Sequence, residues 1–163
     1  MAFTIDNARI GMQPIANTET TQAHPLGTIV SANDPTYRAG EFIYLKGVAS
    51  TAVGSWVTYN LDDGSTTLLA ANAIGPVAIA MSANVANQYG WYQISGKAVG
   101  KVLASFADNG NVYATSTAGS VDDAVVAGDR VKGAVGASAI DTPSTGLAEM
   151  EIARPFMDDA LAA

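Results

Sequence analysis

The side chains that could perform chemistry in this 163-residue chain are few and scattered. The chain has one histidine, His24, and no cysteine, which excludes thiolate nucleophiles, thiolate metal sites and disulfide bonds. Serine and aspartate are common, so a Ser-His-Asp triad is formally possible, but no Gly-x-Ser-x-Gly sequence is present. His24 precedes Pro25 in a polar stretch. We therefore expect a solvated loop histidine and no catalytic residue.

Adjacent aspartates are the other candidates, and they occur at 62–63, 122–123 and 158–159. Neighbouring residues of a strand point to opposite faces, so a pair in sequence is not a pair of carboxylates in space. Asp62-Asp63-Gly64 is typical of a turn, and Asp122-Asp123 follows a glycine and a serine. Calcium would suit such carboxylates, but the EF-hand spacing is missing. We predict no metal and no cofactor.

The charge distribution argues against two classes of partner. The net charge is −7, and the eight basic residues are scattered rather than clustered. Nucleic-acid binding needs a basic patch, and binding to an anionic membrane surface needs one as well. The N-terminal sequence does not resemble a signal peptide, and no apolar run is long enough to span a bilayer. We expect neither nucleic acid nor membrane as a partner.

Aromatic side chains are the better candidates for contacts with other proteins. Trp56, Trp91 and Tyr92 lie in two predicted strands. Trp91 and Tyr92 are consecutive, so one of them is expected to point away from the core. Exposed aromatic residues often mark interfaces. We therefore name Trp56, Trp91 and Tyr92 as candidate interface residues.

From residue 27 to residue 157 the pattern predicts a β-domain. Short β-branched and aromatic segments alternate with glycine, proline and aspartate turns every 8 to 12 residues, and Asp63-Gly64 is a strong hairpin signal. Residues 83–90 could form one helical turn. About nine or ten strands result, which indicates an all-β fold, an antiparallel β-sandwich or barrel. The predicted strand segments are 41–50, 55–60, the two sides of 61–69, 75–82, 91–106, 112–116, 129–138 and 146–156.

Residues 1–26 are predicted to be an extended N-terminal arm, and residues 158–163 a C-terminal tail. The arm contains two of the six prolines and a polar stretch, but apolar residues recur along it. They would anchor it either to its own domain or to a neighbouring molecule. In the second case, removing the arm would leave the domain folded and weaken its binding. The proposed anchors, also candidate interface residues, are Phe3, Ile5, Ile10, Met12 and Ile15.

Residues 112–133 carry an ordered series of short motifs. Val-Tyr-Ala-Thr at 112–115 is followed by Ala-Gly at 118–119, Asp-Asp at 122–123 and Ala-Gly-Asp-Arg-Val-Lys-Gly at 127–133. The series resembles the capsid decoration, or cement, proteins of tailed bacteriophages. The two segments at 75–82 and 90–98 also resemble the central hairpin of that family. The likeness covers roughly residues 40–140.

The resemblance implies a structural virion protein without catalysis or cofactor. It implies a homotrimer on the outer capsid surface that binds the major capsid protein and stabilises contacts between capsid subunits. It also implies assembly in the cytoplasm of a host bacterium. The acidic charge, the 14% content of charged residues and the lack of cysteine agree with these expectations.

Three alternatives remain open at the level of sequence. A phage tail or head–tail component would also be rich in β-structure and multimeric. A small carbohydrate-binding β-module could use Trp56 and Trp91. A small hydrolase would have to use His24, the only histidine.

Overall fold

The computed structural model describes residues 4–5 and 12–158. These residues form twelve strands and no helix, in agreement with the predicted all-β class. The strands are β1 Thr4–Ile5, β2 Thr18–Glu19, β3 Ile29–Asp34, β4 Arg38–Lys46, β5 Trp56–Tyr59, β6 Thr66–Leu68, β7 Gly75–Ala80, β8 Tyr89–Lys101, β9 Asn111–Ala114, β10 Val121–Asp122, β11 Arg130–Gly136 and β12 Leu147–Met157.

All named strands belong to one sheet that is not closed into a barrel. The path through it is β1-β3-β4-β8-β7-β12-β11-β9-β10, with β2 paired to β8 and the β5–β6 hairpin paired to β7. Every pairing between named strands is antiparallel. The arrangement is consistent with the predicted β-sandwich.

The long strand β8 connects the two halves of the sheet. Its first half pairs with β4 as far as Gly96, and its second half pairs with β12 from Ser95 onward. Gly96 has a φ of +101°, and a Cβ there would collide with the Ala39 carbonyl oxygen. A glycine is therefore needed at the position where the pairing of β8 changes from β4 to β12. The sequence left open whether residues 91–106 form one strand or two.

Three hydrophobic clusters hold the layers together. The main core lies between β5, β7, β9, β11, β12 and the second half of β8, and includes Trp56, Phe106 and Met150. The strap core joins β3, β4 and the first half of β8 to the N-terminal segment, and includes Ile15 and Trp91. The middle core covers the other face of β4 and β8. Its buried members are Ile43, Leu45, Val57, Ala78, Ala80, Tyr92 and Ile94.

Two local predictions from the sequence need correction. Residues 83–90 contain no helical turn: residues 86–87 form a turn in which Asn87 adopts a φ of +62°, and residues 89–90 begin strand β8. Strand β3 lies inside the predicted β-domain but was not predicted as a strand. By contrast, β12 has the predicted alternation, because Ala148, Met150 and Ile152 are buried between half-exposed or exposed neighbours.

Candidate interaction surfaces

The N-terminal segment from residue 12 packs on its own domain. Ile15 is 2% exposed and belongs to the strap core, and Met12 packs beside it. Thr18 of β2 pairs with Gly90 of β8, which adds a short strand to the sheet. Of the two alternatives for the arm, attachment to its own domain holds for residues 12–26.

The other proposed anchors give less evidence on where the arm attaches. Phe3 and Ile10 lie outside the described residues. Ile5 lies in β1, where its backbone is paired with that of Ala32 in β3. The two-residue strand β1 therefore also lies against this domain.

His24 lies in a loop, as predicted, but it is half-buried rather than solvated. Its ring centroid lies 5.1 Å from that of Tyr44 and 5.7 Å from that of Trp91. The Ala23 amide donates a hydrogen bond of 3.2 Å to the Tyr44 hydroxyl, and the Gly27 amide donates one of 2.8 Å to the Tyr44 carbonyl. These bonds place the loop over the aromatic surface. The Nε2 atom of His24 is buried with no hydrogen-bond partner among the described residues.

The expectation that Trp91 or Tyr92 is exposed is also wrong. Both side chains are fully buried, as is Trp56. The reason is that β8 is covered on both faces: Trp91 enters the strap core under the N-terminal segment, and Tyr92 enters the middle core. In this structure none of the three can contact a partner, and neither tryptophan can stack on a sugar ring.

The Tyr92 hydroxyl lies inside a small polar network. The Asn84 side-chain amide donates a hydrogen bond of 3.0 Å to it. Burial raises the pKa of Tyr92 above its ordinary value. It is placed to satisfy buried polar groups rather than to react.

Of the paired aspartates, Asp63 acts as a turn residue, as predicted, whereas Asp122 is the last residue of strand β10. The Asp63 carboxylate accepts a hydrogen bond from the Ser65 amide, and hydrogen bonds from Ser65 lower the pKa of Asp63. The Asp122 carboxylate accepts a bond from the Asp123 amide. Burial raises the pKa of Asp122 above its ordinary value. Each carboxylate therefore serves its local backbone.

The third pair lies at the end of β12. Asp158 forms an ion pair with Lys132, and Asp159 is outside the described residues. Within residues 4–5 and 12–158, no group of three or more His, Cys, Asp or Glu side chains is placed to hold a metal ion. No helix in that part of the chain is long and apolar enough to cross a membrane.

An open cleft of about 540 Å³ lies on the outer face of β8, β12 and β11. Backbone pairing places Lys97, Glu151 and Val135 side by side across the three strands. Small residues, among them Gly96 and Ala153, line the cleft between them. This cleft, called the β8–β11 cleft below, has a concave surface of a size that suits a bound side chain or peptide.

The loop between β10 and β11 exposes a run of apolar side chains that the sequence analysis passed over. Residues 124–127, Ala-Val-Val-Ala, are all exposed, and Val125 is 80% exposed. The signal was present in the sequence as four small apolar residues enclosed by Asp123 and Asp129. We call residues 123–129 the acidic loop.

Comparison with known proteins gives no relative from which a function could be transferred. No protein-family model, no curated protein and no solved structure matches this chain.

Proposed function

We propose that this chain is a capsid decoration protein that binds the outer surface of a bacteriophage head and stabilises contacts between major capsid proteins. The observation that carries the proposal is that the motifs shared with that family form one structural unit. They lie on β9, β10 and β11, which are neighbours in the sheet, on the turn at 118–119 that joins β9 to β10, and on the acidic loop that joins β10 to β11.

The exposed surface supports a role in protein–protein contact. Large apolar side chains are exposed in several turns and at strand ends, including Leu61 at 69%, Ile74 at 68% and Phe156 at 43%. Only 14% of the residues are charged. Interface centres are depleted of charge and enriched in apolar and aromatic side chains.

The burial of Trp56 and Trp91 favours this proposal over a carbohydrate-binding module. A sugar-binding aromatic residue must present one ring face to the solvent. Both indole rings are fully buried in hydrophobic clusters. They stabilise a rigid β-body instead.

The physical basis of decoration is linkage between binding and assembly. A protein that binds the assembled lattice but not its dissociated subunits stabilises the lattice by mass action. Several weak contacts within one oligomer combine through their high effective concentration. A scaffold without catalytic chemistry is sufficient for this role.

The proposal is tested by adding the purified chain to capsids assembled without it and sedimenting the mixture. We expect the chain to sediment with the capsids and to saturate them at a fixed copy number per capsid. The same chain incubated with dissociated major capsid protein is the control. A chain that stays in the supernatant at every concentration would refute the proposal.

A further inference from the structure

The turn that precedes β9 contains the dipeptide Asn109-Gly110, whose two residues can react with each other. A glycine after an asparagine has no side chain, so its backbone nitrogen can approach the side-chain carbonyl carbon of the asparagine. The chain contains one Asn-Gly dipeptide, and it contains one of the related Asp-Gly dipeptides, at 63–64. Whether either pair reacts depends on how the fold engages the two reacting groups.

Both reacting groups of Asn109-Gly110 are free of hydrogen bonds. Asn109 is exposed and has a φ of +58°. Its backbone amide donates a hydrogen bond of 2.8 Å to the Asp108 carboxylate. Within residues 4–5 and 12–158, neither the Asn109 carboxamide nor the Gly110 amide forms a hydrogen bond. An unbonded N–H next to an accessible carboxamide is the arrangement that ring closure requires.

Two other asparagines with a left-handed backbone are held differently. Asn72 and Asn87 have φ values of +61° and +62°. The amide that follows Asn72 donates a hydrogen bond of 3.3 Å to the Ala70 carbonyl, and the amide that follows Asn87 donates one of 3.1 Å to the Val85 carbonyl. Both asparagines also precede a residue that has a side chain. Ring closure at either site would have to break a hydrogen bond in a more crowded position.

The Asp-Gly dipeptide at 63–64 is held as well. The Gly64 amide donates a hydrogen bond of 2.9 Å to the Asn60 carbonyl. The Asp63 carboxylate accepts one of 2.9 Å from the Ser65 amide. A carboxylate is in addition a poorer electrophile than a carboxamide. The fold therefore protects one Xaa-Gly dipeptide and leaves the other reactive.

We propose that Asn109 is a site of spontaneous modification, at which its carboxamide becomes a carboxylate without an enzyme. The Gly110 nitrogen forms a bond to Cγ of Asn109 and the Cγ–Nδ2 bond breaks. Nδ2 leaves as ammonia and takes up the proton of the Gly110 nitrogen. Water then opens the resulting succinimide ring at one of its two carbonyl carbons, which gives aspartate when the Cγ–N bond breaks and isoaspartate when the backbone C–N bond breaks. Water is the only co-reactant.

The product changes the surface beside the acidic loop. A Cβ built on Gly110 would lie 2.9 Å from Cβ of Asp123, so the new carboxylate is formed close to the carboxylates of residues 108 and 123. An isoaspartate also lengthens the main chain by one methylene group just before Asn111, whose side chain accepts a hydrogen bond of 2.9 Å from Arg130 at the β8–β11 cleft. The charge and the backbone of this surface therefore change with time, whether or not the chain binds a capsid.

The experiment incubates the full chain in mildly alkaline buffer, where the attacking nitrogen loses its proton more readily. Samples are taken over time for anion-exchange chromatography and peptide mass spectrometry. We expect a more acidic species to accumulate, in which the peptide containing Asn109 has lost one ammonia and gained one water. Conversion should be at least about tenfold faster than at Asn72 or Asn87 in the same sample, because the amides that follow those residues are hydrogen-bonded.

Two controls separate the effect of the fold from that of the sequence. Asn109→Gly tolerates the positive φ and has no carboxamide, so this variant should form no acidic species. In urea the hydrogen bonds are lost, so Asp63 should isomerise there and stay intact in the folded chain. The inference would be overturned by an Asn109 that converts in urea but not in the folded chain, by equal rates at Asn72 or Asn87, or by an acidic species that persists in Asn109→Gly.

Discussion

At the scale of single residues, Gly100 indicates how tightly the main core is packed. A Cβ added to Gly100 would lie 2.8 Å from Cε2 of Trp56, whose ring is fully buried. We expect Gly100→Ala to lower the free energy of unfolding by about 1–3 kcal/mol, because the core would be overpacked. Urea titration followed by tryptophan fluorescence measures the change.

The cause is tested by repeating Gly100→Ala in a Trp56→Phe background, where the smaller ring leaves room for the added methyl group. The penalty should shrink there, since residues in contact are energetically coupled. An equal penalty in both backgrounds would mean that backbone strain, rather than contact with Trp56, is responsible.

His24 supplies the second prediction at this scale. Its ring packs against Tyr44 and Trp91, and its buried Nε2 atom has no partner in the described structure. We expect His24→Ala to lower the melting temperature, because packing surface is lost. His24→Phe should keep most of the stability, since it fills the site and removes an unsatisfied polar atom. An unchanged melting temperature in His24→Ala would restore the interpretation of a solvated histidine.

The sequence predicted the turn at Asp63 well and the aromatic residues poorly, for a physical reason. A carboxylate such as that of Asp63 bonds to the backbone two residues away, so its role depends on local sequence alone. The alternation of Trp91 and Tyr92 shows that they face opposite sides of a strand. It does not show whether both sides are covered, because that depends on segments that are distant in sequence.

At the scale of elements, strands with a clear local sequence pattern were predicted, and one strand whose sequence is typical of a loop was missed. Strands β4, β11 and β12 are rich in β-branched, aromatic or alternating residues, and each was predicted within a few residues. Strand β3 was not, because it ends in Asn33-Asp34-Pro35, which is typical of a loop. The Asp34 carboxylate accepts bonds of 2.7 and 2.9 Å from the amides of residues 36 and 37 and forms the β3–β4 turn.

The N-terminal segment carries the prediction at this scale. Within this segment, Ile15 is nearly fully buried in the strap core, whereas Thr21 is exposed. We expect Ile15→Ala to cost about 2–4 kcal/mol of unfolding free energy, as for other buried isoleucines, and Thr21→Ala to cost little. Chemical denaturation of the two variants provides the comparison.

Deleting residues 1–20 extends this prediction. The deletion removes Ile15 and the pairing of β2 with β8, so the melting temperature should fall markedly. A truncated chain that melts as the full chain does would instead support the detachable arm that the sequence suggested.

At the scale of the whole molecule, the three clusters make one continuous structure. Strand β8 contributes Ala98 to the main core, Trp91 to the strap core and Tyr92 to the middle core. Gly96 lies where β8 changes its pairing from β4 to β12, and both faces of β8 are buried. The result is a single β-body with an exposed cleft and exposed turns.

Our central proposal is that this body attaches to the outside of a capsid. It is tested most directly by a cryo-electron microscopy difference map between capsids with and without the purified 16.6 kDa chain. The account predicts additional density at symmetry-related positions on the outer surface, into which the β-body fits. No additional density, or density confined to the tail or the head–tail junction, would contradict it.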